Sequence, residues 1–117
     1  MSESELTLRD WGTTEAVPMR EGHEIQQITV NPGAKMPLRL NDFQCEHWVI
    51  VQGMGRMSLE MQSFLLDTGA STFIPARSAH DIENIGDEPL RIVTVHYASE
   101  FNGQDQGQGS TKTAVSA

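Results

Sequence analysis

Turn-forming residues divide this chain into short apolar segments, and that division limits its possible folds more than any other feature. Glycine, proline, asparagine and aspartate cluster between segments rich in β-branched and aromatic residues. The segments recur at roughly 8–12-residue spacing, and none has a convincing amphipathic-helix period. The predicted strands are 24–30, 46–52, 57–61, 64–66, 71–75, 79–84 and 90–97. The pattern predicts an all-β sandwich or barrel.

Length and composition predict one domain. A chain of 117 residues, of which 38% are hydrophobic, has an ordinary domain size and can build a single core. Residues 101–117 have almost nothing apolar to bury, so we expect a domain over 1–100 followed by a polar flexible tail. No stretch approaches the roughly 18 consecutive apolar residues of a membrane span, which predicts a soluble protein.

Charge and cysteine content exclude several classes of partner. Sixteen acidic residues against eight basic ones give a formal net charge of −8, which repels nucleic-acid backbones and anionic membranes. The single Cys45 cannot form an internal disulfide and excludes a cysteine-based zinc cluster. The N-terminus lacks the apolar stretch of a secretory signal. We therefore expect a cytoplasmic protein with a small-molecule ligand, and neither nucleic acid nor membrane as a partner.

Two groups of turn and polar residues have the spacing of the two sequence motifs of the cupin superfamily. Arg39 and Asn41 stand where the first motif has histidines, and Arg77 stands where the second has glycine. The chain therefore resembles a cupin, which implies a double-stranded β-helix: a jelly-roll barrel of two packed sheets with a pocket between them. The first group is Gly33, Arg39, Asn41, Glu46 and Gly53, and the second is Gly69, Pro75, Arg77, His80 and Asn84.

Within the cupins, the chain looks most like the C-terminal domain of type II mannose-6-phosphate isomerases. These include enzymes fused to a mannose-1-phosphate guanylyltransferase domain. The similarity lies in RDWG at 9–12, ITVNPGAKMPL at 28–38, EHWVIVQG at 46–53 and STFIP at 71–75. It implies a role in carbohydrate metabolism, as an isomerase that converts an aldose phosphate into a ketose phosphate.

The resemblance also implies a divalent-metal site at the positions of Arg39, Asn41, Glu46 and His80. Arginine stays protonated and has no acceptor, so Arg39 cannot bind a metal. Asn41 offers a weak carbonyl oxygen. Glu46 and His80 remain as good ligands, fewer than the three protein ligands of an open catalytic zinc site. We expect a degenerate metal site, with no cofactor or a weakly held zinc, manganese, nickel or iron ion.

Arg39 offers a replacement for the missing metal charge. Inside the barrel, its guanidinium is predicted to lie within hydrogen-bonding reach of Glu46 and to form a charge-assisted pair with it. In one interpretation these two residues form only a polar plug, together with Asn41 and His80. In the other, Arg39, Asn41 and His80 bind a sugar, a sugar phosphate or another small acid.

Catalysis is the alternative to binding alone. An active metal-dependent aldose–ketose isomerase needs a base for the C2 proton and an electrophile for the developing enediolate. Glu46 or His80 is the candidate base, and Arg39 is the candidate electrophile. Because ligands of the metal site are missing, we favour the binding function.

Strand alternation bears on two further histidines and on assembly. If Glu46 points inward, His47 points outward. His96 shares its parity with Ile92 and Thr94, but its strand is apolar on both faces, so its direction stays open. A two-sided apolar strand in so small a domain leaves an exposed face to cover, and a twofold homodimer is the commonest solution.

Overall fold

Ten strands and no helix form within residues 5–20 and 22–98, the part of the chain that the computed structural model describes. This confirms the all-β prediction. Those ranges contain no helix that can span a membrane. The predicted tail, 101–117, lies outside the described residues. The strands are β1 (Glu5–Arg9), β2 (Gly12–Pro18), β3 (His23–Val30), β4 (Lys35–Arg39), β5 (Gln44–Gln52), β6 (Met54–Leu59), β7 (Gln62–Asp67), β8 (Ser71–Ile74), β9 (His80–Asn84) and β10 (Leu90–Ala98).

The strands form two antiparallel sheets around one apolar core. The larger sheet has the order β1-β2-β3-β10-β5-β8, and the smaller sheet has the order β4-β9-β6-β7. Ile28, Trp48 and Ile92 come from the larger sheet, and they pack in the same buried cluster as Met57 and Ile82 from the smaller one. The inner faces of the two sheets therefore meet, as the jelly-roll resemblance implies.

The sequence pattern misses β1, β2 and β4. β1 is exposed along its whole length and β2 is largely polar, so neither has clear apolar alternation. Backbone pairing of β1 with β2, and of β2 with β3, holds these strands in the larger sheet. β4 contains Pro37, which cannot donate a backbone hydrogen bond. The pairing of β4 with β9 is irregular between Met36 and Arg39, and this irregularity accommodates the proline.

The turn between β6 and β7 corrects the predicted strand over 57–61. β6 ends at Leu59, and Glu60 and Met61 form a two-residue turn with φ angles of 48° and 73°. Two positive φ angles are typical of a type I′ turn, whose twist matches a hairpin. Met61, predicted to alternate with strand residues, is instead fully exposed at the tip of the turn.

Arg77 occupies a backbone conformation that favours glycine, which is the residue that the cupin motif has at this position. Its φ is 66°, in the left-handed region where a Cβ is costly. We expect Arg77→Gly to raise the free energy of unfolding by about 1 kcal/mol, measured by urea denaturation. Arg77→Ala keeps the Cβ and is the matched control. Equal stabilisation by both variants would show that the side chain, and not the backbone, is responsible.

Candidate functional site

The centre of the site is the buried carboxylate of Glu46 on β5. Alternation along this strand turns Glu46 and Trp48 toward the interior, where their exposed fractions are 1% and 0%. The indole Nε1–H of Trp48 donates a hydrogen bond to Glu46 Oε1 at 2.7 Å. His47, between them, is exposed on the outer face, as predicted. This hydrogen bond uses Oε1 and orients the carboxylate, so the second oxygen, Oε2, takes no part in the contact with Trp48.

Two buried histidines flank that second oxygen. His80 Nε2 lies 3.9 Å and His96 Nδ1 lies 3.8 Å from Glu46 Oε2. His96 is paired with Glu46 across adjacent strands of the larger sheet, whereas His80 begins β9 of the smaller sheet. We call Glu46, His80 and His96 the inner cluster. Neither Glu46 Oε2 nor His80 Nε2 has a hydrogen-bond partner among the described residues.

The hydrogen bonds of His80 define what its ring presents to Glu46. Its Nδ1 lies 2.8 Å from the carbonyl oxygen of Ser78. A carbonyl oxygen can only accept, so Nδ1 carries the proton. In the neutral ring, Nε2 is then an acceptor. An ionised carboxylate oxygen also only accepts, so with a neutral ring and an ionised carboxylate Nε2 and Oε2 are two enclosed acceptors that face each other without a donor between them.

The environment of His96 disfavours its charged form. Burial lowers the pKa of His96 below its ordinary value of 6.5, and the positive charge of Arg39 acts in the same direction. The carboxylates of Glu46 and Glu24 oppose the lowering but do not overcome it. Thr94 Oγ1 lies 2.8 Å from His96 Nε2 and holds the ring in place. His96 is therefore a neutral member of the inner cluster near pH 7.

Arg39 does not make the predicted pair with Glu46. It ends β4 opposite His80 and is half-buried, and its Nη1 contacts Met36 Sδ at 3.7 Å. Glu46 takes its hydrogen bond from Trp48 instead. The expected Arg39–Glu46 pair was wrong because it placed Arg39 by motif spacing alone. The donor to the Glu46 carboxylate is Trp48, two residues along β5. The charge of Arg39 still influences the cluster, since it contributes to the lowered pKa of His96.

The side chain of Asn41 closes the loop between β4 and β5. Its Oδ1 accepts hydrogen bonds from the backbone N–H groups of Phe43 and Gln44, both at 3.0 Å. Its Nδ2 donates to the Gln44 side chain at 3.2 Å. Both lone pairs of Oδ1 are used within the loop. A metal-binding or substrate-binding role of Asn41 stays a prediction, and this geometry does not support it.

The donor set does not fit a tightly held metal ion. Among residues 5–20 and 22–98, no group of three His, Cys, Asp or Glu side chains is placed to hold one. The side chains of Glu46 and His80 supply two unpaired acceptors, and Asn41 is committed to its loop. His96 Nδ1 lies 3.8 Å from the same carboxylate oxygen, but Glu46, His80 and His96 are not placed to coordinate one ion together, as the three protein ligands of an open catalytic zinc site are. We therefore derive no chemical step through a metal.

Sequence reasoning left His96 out of the site because β10 is apolar on both faces. The structure directs His96 inward with Ile92 and Thr94, while Val95 on the opposite parity is 39% exposed. The signal that identifies the inner face is polar: Thr94 and His96 share one parity, which is unusual on a core-facing strand. That signal becomes decisive only once Glu46 is known to be the cross-strand neighbour of His96.

The lowered pKa of His96 predicts a pH-dependent stability. Below pH 6.5, its ordinary pKa, the unfolded chain binds a proton at His96 that the folded chain does not. The free energy of unfolding therefore falls as the pH drops from there toward the folded pKa, by about 1.4 kcal/mol for each unit of lowering. Above that range, His96 has no effect on the pH dependence. Urea unfolding between about pH 5 and about pH 8 measures the effect.

Two glutamine variants separate His96 from the other titrating groups. His96→Gln should flatten the dependence between pH 5 and pH 7, because the group responsible is gone. His47→Gln, which changes an exposed histidine one strand away, should leave it in place. An unchanged slope in His96→Gln would contradict the assignment.

Solved structures share this architecture, and one of them is a cupin domain. The cupin domain of Schizosaccharomyces pombe Cnp3 matches with a TM-score of 0.75 and 17% identity, over 89% of this chain and 77% of that one. Bacillus subtilis oxalate decarboxylase, described with Mn(II) centres, matches with a TM-score of 0.73 and 23% identity, over 80% of this chain and 27% of that one. Both likenesses confirm the predicted fold.

Sequence comparison identifies the family. Alginate biosynthesis protein AlgA of Pseudomonas aeruginosa is 36% identical over 97 residues, which cover 83% of this chain and 20% of that protein. The chain therefore spans about one fifth of the length of this curated relative. Residues 2–107 match the family described as mannose-6-phosphate isomerase C-terminal. The chain has the cupin fold and belongs to the mannose-6-phosphate isomerase C-terminal family.

Proposed function

We propose that this domain binds a small hydroxylated anion, a sugar phosphate or a related sugar acid, at the inner cluster. The observation that carries the proposal is the pair of buried acceptors, Glu46 Oε2 and His80 Nε2, 3.9 Å apart and without a donor. Unpaired buried acceptors are costly, and a hydroxyl group of a bound molecule satisfies one or both. Sugars present such donors in adjacent pairs.

The charge of Arg39 suits an anionic ligand better than a metal. The family resemblance implies a histidine ligand at this position, and the side chain found there is a half-buried cation that acts on His96. A guanidinium binds phosphate or carboxylate oxygens with two parallel hydrogen bonds. This supports a degenerate metal site in which an organic anion, and not a divalent ion, is the species attracted to the barrel.

Isomerase activity is the second candidate function, and one observation favours it. His80 Nε2 carries a lone pair beside a carboxylate, which is the arrangement of a general base that can remove a proton next to a carbonyl group. Arg39 is the group available to stabilise the negative charge that develops on the substrate oxygen. The family membership supports a sugar phosphate as the substrate class.

Binding of mannose 6-phosphate to chelator-treated protein tests the proposal. We expect saturable binding by calorimetry, with shifts of the His80 and His96 imidazole resonances in the wild-type protein. His80→Gln should weaken binding about tenfold, because it removes the acceptor that faces Glu46. The exposed His47→Gln is the matched control and should bind normally. Absence of saturable binding by the wild-type protein would overturn the proposal.

A turnover assay separates binding from catalysis. Conversion of mannose 6-phosphate to fructose 6-phosphate is followed with chelator, and again with manganese, zinc or cobalt supplied. Binding without conversion under either condition is the result we expect. Conversion that depends on added metal would instead establish the isomerase and contradict the degenerate site.

The outer face of the larger sheet supports a homodimer as part of the same proposal. Val49, Phe73 and Val95 are 41%, 43% and 39% exposed there. Beside them, His47 contacts the Phe73 ring at 4.8 Å and hydrogen-bonds Tyr97 at 2.9 Å. A partly exposed apolar patch with aromatic rings is typical of protein interfaces.

The single Cys45 suits a reducing compartment, so we also propose a cytoplasmic location.

Light scattering coupled to gel filtration tests the homodimer. We expect a dimer for the wild-type domain and a monomer for Val95→Asp, because a charge in the centre of the patch is desolvated on association. Leu65→Asp places the same charge on the smaller sheet, where Leu65 is 59% exposed, and is the matched control that should stay dimeric. A wild-type monomer at high protein concentration would contradict the prediction.

A further inference from the structure

The first strand, β1, forms one edge of the larger sheet, and its backbone is open to a further strand. Among residues 5–20 and 22–98, β1 pairs with β2 alone, and all five of its residues are exposed. In an antiparallel ladder, alternate residues direct their N–H and C=O groups to opposite sides, so pairing with β2 leaves part of these groups unsatisfied at the edge. Such an edge is a template for a strand from another chain.

The sequence of β1 is complementary to itself when two copies run antiparallel. It reads Glu-Leu-Thr-Leu-Arg from Glu5 to Arg9. With Thr7 of one copy opposite Thr7 of the other, each Glu5 lies opposite an Arg9. Each Leu6 then lies opposite a Leu8. This is the register that pairs all five residues, and it places opposite charges together at both ends of the strand.

The two leucines add apolar contact to the backbone pairing. Leu6 and Leu8 are 63% and 77% exposed. Strand register places Leu6 in the same row of the larger sheet as Val49, so both leucines lie on the outer face of that sheet. Residues directly opposite each other in a ladder share a face, so the leucines of two copies meet in one strip. The pairing therefore removes from water apolar surface that a single copy exposes.

The charged ends of β1 are available for this pairing. Neither Glu5 nor Arg9 forms an ion pair with another residue in the part of the chain that the structure describes. Exposed ion pairs contribute little to affinity, whereas like charges placed directly opposite each other are destabilising. The two ion pairs therefore select the antiparallel register, and the backbone and the leucines supply the attraction.

We infer that β1 pairs antiparallel with β1 of a second copy of this chain, across a twofold axis at Thr7. This contact goes beyond the proposed function. It is separate from the proposed homodimer, because it joins two sheet edges and leaves the outer faces free. One five-residue strand buries less than the roughly 1,000 Å² of a stable interface. The edge contact is therefore transient by itself, which agrees with the monomer expected for Val95→Asp after dilution on gel filtration.

Disulfide trapping detects a transient contact of this kind. At the twofold axis the Cα atoms of the two Thr7 residues lie about 4.5 to 5.5 Å apart, which is a separation that a disulfide spans. We expect Thr7→Cys in the Val95→Asp background to form a disulfide-linked dimer under mild oxidation. It should do so about tenfold faster than Ser63→Cys in the same background, because pairing raises the effective concentration of the two thiols. Ser63 is exposed on β7, an edge strand of the smaller sheet, and is the matched control.

Charge reversal tests the register in the same assay. Added to Thr7→Cys, either Glu5→Arg or Arg9→Glu should slow trapping about fivefold at low salt, because like charges then face each other at both ends. An equimolar mixture of the two reversed proteins should restore the rate, since a strand with two positive ends faces one with two negative ends. Every position of β1 is exposed, so these variants should fold normally. Restoration by mixing is a result that loss of folding cannot produce.

The outcomes separate the edge contact from the proposed homodimer. Trapping of Thr7→Cys no faster than that of Ser63→Cys would overturn the inference, as would linkage through the buried Cys45, seen by peptide mapping. Reversals without effect, or a mixture that stays slow, would overturn it too. If the protein without Val95→Asp is monomeric and trapping at position 7 is still specific, the homodimer fails and the edge contact stands.

Discussion

The hydrogen bond from Trp48 to Glu46 is the interaction on which the interior of the barrel depends. A carboxylate that is 1% exposed is costly unless donors satisfy it, and the indole N–H at 2.7 Å is the donor that this chain provides. The same indole fills the apolar core and contacts the His80 ring edge-on at 5.6 Å. The Trp48 side chain therefore both packs in the core and donates the hydrogen bond that orients Glu46, with Oε2 directed toward the two histidines.

The substitutions at the motif positions alter the site unequally. Arg39 is a cation that does not bind the Glu46 carboxylate, because that carboxylate accepts its hydrogen bond from Trp48. The Arg39 side chain lines a surface cleft instead. Asn41 has become a structural residue of the loop that follows β4. Arg77 keeps the left-handed backbone of a glycine position at the expense of strain. The backbone geometry therefore keeps the left-handed turn at position 77, while the side chains at positions 39 and 41 make contacts outside the inner cluster.

Part of the fold and part of the site could be predicted from the sequence. β5 and β10 were predictable because their apolar residues and flanking turns are local signals. β1 was not, since it is exposed throughout and depends on pairing with β2. In the site, the motif spacing identified Glu46 and His80. It could not identify His96, which lies far from both motifs in sequence and joins the site only through sheet register.

The sequence by itself determined the all-β class, which follows from turn chemistry and strand spacing along the chain, and its resemblance to the cupins implied the jelly-roll architecture and a carboxylate in the pocket. Only the tertiary structure decided which donor satisfies Glu46 and which histidines flank it. The physical reason is that such contacts cross between strands and sheets. Their geometry depends on register and side-chain direction, and spacing within one segment records neither.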